Sequence, residues 1–325
     1  MNVKPKKAMA ILVLMAAMLP LAAHAKYPDK PIRLVVPFPA GGTTDVLARL
    51  IAKNLSTILG QPVVVDNKGG AATIVGVDAV AKAPNDGYTI LLATATSFAV
   101  NPHLYSKLPY RLDEFVPIGF IAEAPIVLVS KPTLPAKNLS ELVAMLKADK
   151  DGPAVATTGK GGFSHLTAAM FFNAIGVKFR DVPYRGEAPA IVDTLGGVTS
   201  LYFGSLPGTL PHIANGGLRG YAVTSTARSP SAPTIPSFTE NGVPEVVAIS
   251  WFGLSAPKGT PAEAVTAIAD ALRKSLDDKE VQARLFSDGA VSRYLKPEEF
   301  ADYIRRDNER WGRIVRAANV EKMDQ

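Results

Sequence analysis

One pattern recurs along this chain and leaves few folds open to it: a short apolar strand ends in a glycine turn that opens directly into a helix. Segment 32–36 is apolar except for Arg33. It runs through Pro37-Phe38-Pro39-Ala40-Gly41-Gly42-Thr43-Thr44-Asp45 into Leu47, Leu50, Ile51, Leu55, Ile58 and Leu59 at helical spacing, with Gly60 as the stop. The unit repeats with a strand at 63–65, a helix near 74–83 and a third strand at 89–93. A second series holds a strand at 126–129, a helix at 140–147 capped by Ser140, a strand at 154–157, a glycine turn at 159–162 and a helix at 164–175. It continues with a strand at 179–183, a helix ending at Gly196-Gly197, and strands at 199–203 and 218–224. The C-terminal part adds a strand at 248–255 and helices at 261–275 and 297–317, each with proline near its first turn. This alternation predicts an α/β protein of two lobes, each a mainly parallel sheet flanked by helices. Crossing strands, rather than a Ser/Gly-rich tether, join the lobes and allow them to hinge over a ligand.

The N-terminus reads as an address. Lys4, Lys6 and Lys7 precede an apolar run at 8–21 interrupted only by Pro20, and Ala23-His24-Ala25 follows. Such a run is shorter than the roughly 20 residues that span a bilayer. The pattern is that of a signal peptide, residues 1–25, cleaved after Ala25, so export to the periplasm is expected. Cysteine is absent, which removes disulfides, thiolate metal sites and a lipid-bearing residue behind the signal. The net charge is +6; without the three signal lysines the remaining basic surplus is small and spread along the chain, unlike the clustered face that nucleic acid requires.

The glycine turns carry the chemistry. Gly41-Gly42 lets the backbone approach a ligand closely, and the first amides of the following helix are unpaired donors at the positive end of its dipole, a natural place for an anion. No Gly-Lys-Ser/Thr follows, so this is not a Walker loop. Gly159-Lys160-Gly161-Gly162-Phe163-Ser164-His165 opens a helix in the same way, but Ser164 stands where a dinucleotide fingerprint needs its third glycine. Leu166 stands where a nucleophile elbow needs glycine. A hydrolase or isomerase using Ser164, His165 and a carboxylate such as Asp45 is the rival reading, and no accompanying triad pattern supports it. Thr94-Ala95-Thr96-Ser97 offers hydroxyls that cap a helix or donate to a carboxylate. His24, His103, His165 and His212 share no metal-ligand spacing, and neither a metal nor a cofactor is expected. Asp113-Glu114 and Glu298-Glu299 read as solvated surface, and Trp251 and Phe252 as core.

In this order, Tyr27-Pro28-Asp29-Lys30-Pro31-Ile32, Val36-Pro37-Phe38-Pro39-Ala40-Gly41-Gly42, Gly60-Gln61-Pro62-Val63-Val64-Val65-Asp66-Asn67, Pro84-Asn85-Asp86-Gly87-Tyr88-Thr89 and Asn101-Pro102-His103-Leu104-Tyr105 form a specific series. Ser164-His165-Leu166, Val182-Pro183-Tyr184-Arg185-Gly186 and Ser250-Trp251-Phe252-Gly253-Leu254 extend it to the C-terminal part. The series resembles the tripartite tricarboxylate transporter receptors, also called Bug proteins. The resemblance implies a two-lobed periplasmic binding-protein fold, with residues 26–125 and 248–325 in one lobe and 126–247 in the other. It implies a receptor, not an enzyme, that holds a small organic carboxylate with amides, hydroxyls and bridging waters. Its partners would be the membrane subunits of a tripartite transporter or a sensor ectodomain, with no nucleic acid, and the receptor would be a monomer. The contacts it implies are Phe38, Gly41, Gly42, Thr43, Asp45, Thr94, Thr96 and Ser97 from the first lobe. From the second come Thr158, Lys160, Phe163, Ser164, His165, Gly204 and Ser205.

Three departures bear on the ligand. Phe203-Gly204-Ser205 stands where many members read Phe-Asp-Asn, which removes an acid that could meet an ammonium and argues against an amino acid. Ile74 replaces an asparagine, and Phe98 and Phe163 replace smaller or more polar residues, so a ligand with an apolar or aromatic body becomes plausible. Both phenylalanines could equally pack within their own lobes.

Overall fold

The computed structural model of the chain describes residues 27–317 and 322–323; the expected signal peptide at 1–25 lies outside the described residues. β1 (Ile32–Val36) buries Leu34, Val35 and Val36, as a strand does when both its faces are covered. α1 (Thr43–Leu59) turns Leu47, Ala48, Ile51, Ala52 and Leu55 inward. It ends where Gly60, at φ 70°, donates its amide to the Ser56 carbonyl, a left-handed turn that glycine takes without a Cβ penalty. β2 (Val63–Asn67), α2 (Ile74–Ala81) and β3 (Thr89–Thr94) follow, and β2 and β3 flank β1 in parallel. β3 passes into a π-helical turn (Thr96–Val100) and the short helix α3 (Asn101–Leu104).

Two long strands join the halves. β4 (Phe115–Ser130) is 16 residues long, whereas the sequence predicts only its last part. Pro117, Gly119 and Pro125 disguise the rest, because proline withholds a ladder donor and glycine weakens a strand. The structure absorbs them with register shifts between 117 and 119 and between 120 and 122, where β4 pairs antiparallel with β9 (Ile249–Pro257). β9 also pairs with β3, so the C-terminal segment shares a sheet with the N-terminal one. β4 then continues into pairs with β7 (Leu201–Ser205) and β8 (Arg219–Val223). β5 (Ala154–Thr157) lies parallel between β7 and β6 (Arg180–Pro183). The order β2-β1-β3-β9-β4-β7-β5-β6 is therefore parallel toward both ends and antiparallel at the crossing strands, with β10 (Val291–Leu295) also antiparallel on β4.

The helices of the middle segment are α4 (Leu139–Ala148), α5 (Phe163–Ile175), α6 (Glu187–Gly196) and α7 (Leu206–Ala214). α4 begins one residue earlier than expected, and its cap is Asn138, whose side chain accepts from the Glu141 amide at 2.9 Å, rather than Ser140. α7 is absent from the sequence expectation because Pro207, Gly208 and Pro211 read as loop. Pro207 lies in the first turn, where a missing amide costs nothing. α8 (Ala262–Asp277), α9 (Lys279–Ser287) and α10 (Pro297–Ala317) close the chain over the first half. α10 reaches both halves. Its Trp311 packs on Phe163 of α5 with ring centroids 4.9 Å apart, and its Asp307 accepts the indole N–H of fully buried Trp251 on β9 at 2.8 Å. Burial of Phe163 at this contact contributes about 1.5–3 kcal/mol. Among the described residues no helix is long and apolar enough to cross a membrane.

Candidate functional site

Four helices start at one place. Thr43 opens α1, Phe163 opens α5, Glu187 opens α6 and Ser205 caps α7, and all four residues line a single cavity of about 80 Å³ between the halves. The first amides of each helix lack a partner within it, and the dipoles add, so the cavity attracts negative charge. Of the sequence-predicted residues, Phe38, Gly42, Thr43, Thr94 and Thr96 line it from the first half. Thr158, Phe163, Ser164 and Ser205 line it from the second.

The remaining six do not line it. Gly41, at φ 88°, borders a separate groove with Pro207, Gly208 and Arg284. Its amide donates to Asp45 Oδ2 at 3.0 Å, and Asp45 also pairs with Arg49 at 3.0 Å. Burial opposes ionisation of Asp45, but the donors from Arg49 and Gly41 outweigh it and hold the carboxyl below the ordinary aspartate range. Asp45 thus fastens the first turn from within. Ser97 is fully buried, and its hydroxyl accepts from the Thr94 amide and donates to the Thr94 carbonyl, both at 2.9 Å. Gly204 is buried in β7, where an added Cβ would come within 2.3 Å of the Tyr202 ring. Lys160 borders a different groove with Ile74, Tyr105 and Met323.

His165 completes the six, and its geometry bears on the rival enzyme reading. Its Nδ1 accepts from the Gly161 amide at 3.2 Å, and its Nε2 lies 3.8 Å from Asp181. Burial lowers its pKa against the pull of Asp181. Ser164 donates its hydroxyl to the Phe203 carbonyl at 2.5 Å. The serine proton therefore points at a backbone oxygen and the imidazole is turned to its own loop and to Asp181, so the two do not form a nucleophile–base pair. Among the described residues no cluster of side chains could hold a metal ion.

The residue that sequence reasoning missed is Glu187. Its Oε2 accepts from the Thr43 amide at 2.9 Å and the Thr43 hydroxyl at 2.7 Å, across the boundary between the halves. Its Oε1 accepts from the Ser205 amide at 3.2 Å and the Tyr202 hydroxyl at 3.4 Å. Burial pushes this carboxyl above the ordinary glutamate range in spite of the four donors. The absence of an acid at Gly204 therefore does not leave the cavity without a carboxylate. A signal was present: Arg180–Pro183, Gly186 at φ 104° and the helix after it repeat the strand, glycine and helix pattern a third time. Arg185, in the same turn, also lines the cavity, and its guanidinium has no partner among the described residues. Phe252 and Ile126 join Phe38 and Phe163 as apolar wall. Phe98, in contrast, is 1% exposed and packs on Phe115 in the core.

Both the sequence and the fold match known proteins. The family described as tripartite tricarboxylate transporter family receptor matches residues 47–320. Protein BugT of Bordetella pertussis is 38% identical over 292 residues, which cover 89% of this chain and 90% of that one. The solved periplasmic binding protein BugD superposes with a TM-score of 0.88 at 36% identity, covering 91% of this chain and 100% of its own. An R. palustris protein solved with adipate also gives 0.88, at 32% identity and the same coverage. The fold is that of the two-lobed periplasmic binding proteins.

Proposed function

Because the chain belongs to the tripartite tricarboxylate transporter receptor family, we propose that it captures a small organic carboxylate in the cavity where its four helix starts meet. It is a solute-binding receptor and not an enzyme, like its solved neighbours. The ligand is a mono- or dicarboxylate, aromatic acids included, held between lobes comprising residues 26–125 with 248–325 and residues 126–247. The observation that carries this reading is the convergence of α1, α5, α6 and α7 on one cavity, lined by Thr158, Ser205, the exposed and unpaired Arg185 and an aromatic wall. The adipate bound by the R. palustris neighbour supports a carboxylate as the guest.

The receptor works in the periplasm as a monomer, after cleavage behind Ala25, and presents its closed form to the membrane subunits of a tripartite transporter or to a sensor ectodomain. Closure draws its free energy from the ligand's higher affinity for the closed form. A thermal-shift panel of aliphatic and aromatic mono-, di- and tricarboxylates and amino acids, on protein unfolded and refolded to strip carried ligand, tests the ligand class. A ligand at a hundred times its Kd adds about 2.7 kcal/mol, which raises the midpoint of a chain this size by roughly 4 °C. Shifts confined to carboxylates are expected; a shift with amino acids alone, or with no acid at all, would overturn the assignment.

A further inference from the structure

We propose that Glu187 restricts this receptor to ligands with a single carboxylate, by seating its own carboxylate in the anion position at the start of α1. The inference rests on the carboxylate reading above and narrows it.

The seat is built for that group. Thr43 supplies the first amide of α1 and its hydroxyl, at 2.9 and 2.7 Å, while Ser205 and Tyr202 supply the amide and phenol on the other oxygen. A carboxylate offers about four acceptor positions, and these four donors fill them. Glu187 therefore has no lone pair left with which to bind a ligand ammonium; it occupies the position an anion would take. Space is reserved for it. A Cβ on Gly208 would lie 2.3 Å from the Glu187 Cδ and 2.4 and 2.5 Å from its two oxygens. A Cβ on Gly204 would meet the Tyr202 ring at 2.3 Å, and that ring carries one of the four donors. The glycine at 204 thus makes room for the side chain that orients Glu187.

A dicarboxylate spanning the cavity would bring a second negative charge onto the Thr43 amide, and like charges in direct apposition cost several kcal/mol. The other anion position stays open. Among the described residues the start of α5 has no acid on it, Thr158 and Arg185 line the same cavity, and the Ser205 hydroxyl is buried without a partner. A ligand carboxylate placed there would leave its body against Phe38, Phe163 and Phe252. The chemistry selected is an apolar monocarboxylate.

Calorimetric titration with matched acids tests this: hexanoate against adipate, and benzoate against terephthalate. The wild-type protein should bind the better monoacid about tenfold or more tighter than its diacid partner. Glu187→Ala should raise the affinity for each diacid relative to its monoacid partner by about tenfold or more, with diacid binding itself strengthened, a gain that misfolding cannot produce. Gly208→Ala, whose added Cβ would collide with the Glu187 carboxylate, should move the ratio the same way but by less, because the charge stays near the cavity. Equal affinity of the wild-type protein for both members of a pair, or an unchanged ratio in Glu187→Ala, would overturn the proposal and leave the carboxylate receptor standing. Binding of no acid by either protein would sink both readings together.

Discussion

The turns that open α1 and α5 are built alike and used differently. Both place glycines at positive φ, Gly41 at 88° and Gly161 at 75°, in front of an extended glycine cap, and both aim a helix start at the same cavity. In the first, the chain's own acids take the donors: Asp45 accepts the Gly41 amide and Glu187 the Thr43 amide. In the second, the Gly161 amide goes to a neutral imidazole nitrogen and the Gly162 amide to the Gly159 carbonyl, and no carboxylate faces the helix start. A glycine turn before a helix marks a place where an anion is welcome. Which anion arrives is decided by side chains far away in sequence.

The sharpest way to break this contrast is to evict the occupant of the first turn. Gly208→Ala forces a Cβ into the space of the Glu187 carboxylate, so either α7 shifts or the carboxylate leaves and the Thr43 amide loses its partner. Overpacking and an abandoned buried donor together should cost about 2–4 kcal/mol of stability, read from denaturant unfolding curves. Gly196→Ala is the control, because the new Cβ would meet only Val198 Cγ2 at 3.9 Å, and it should change stability by less than about 1 kcal/mol. Equal effects at the two glycines would mean that Glu187 is not held.

A second test separates the two acids that serve the first turn, since the fold moves them in opposite directions. Asp45 is depressed, so its stabilisation is complete above its unfolded pKa of about 3.9 and is lost as pH falls through the folded value. The advantage of wild type over Asp45→Asn should therefore shrink in acid. Glu187 is raised, so the folded chain holds its proton more tightly than the unfolded one does. Its advantage over Glu187→Gln should grow as pH falls from the raised folded value toward about 4.3. Denaturation curves between pH 3 and 7 read both effects, and the prediction is their opposite sign. The same sign for both would mean that the donors outweigh burial at Glu187 as they do at Asp45, and no pH dependence in the Glu187 pair would mean that Glu187 is solvated and the first turn is open like the second.

The local half of this arrangement was legible in the sequence and the distant half was not. Gly41-Gly42 and Gly159 to Gly162 could be found because a turn and the helix behind it are written within a few residues. The Thr43–Glu187 contact spans 144 residues, and nothing around position 187 says that its carboxylate will lie on the amide of position 43. Gly204 shows the same limit: its missing acid was visible, but the Tyr202 ring that fills the space, and the glutamate that ring holds, belong to tertiary packing. Ser97 shows it in reverse, a hydroxyl suited to a ligand that the structure spends on Thr94. β4 was half hidden because two prolines and a glycine argued against a strand that bulges can accommodate.

The smallest effect is expected at the second turn. Ser164 lines the cavity but commits its proton to the Phe203 carbonyl at 2.5 Å, so Ser164→Ala removes one packing hydrogen bond worth about 0.5–1.5 kcal/mol. If the α5 amides and Arg185 hold the ligand carboxylate, titration of that variant should show monoacid affinity weakened by about threefold or less. A loss of a hundredfold would make the hydroxyl itself the anion donor. The second turn would then hold its guest by a side chain, as the first holds Glu187 partly through the Thr43 hydroxyl, and the two turns would differ only in whose carboxylate they carry.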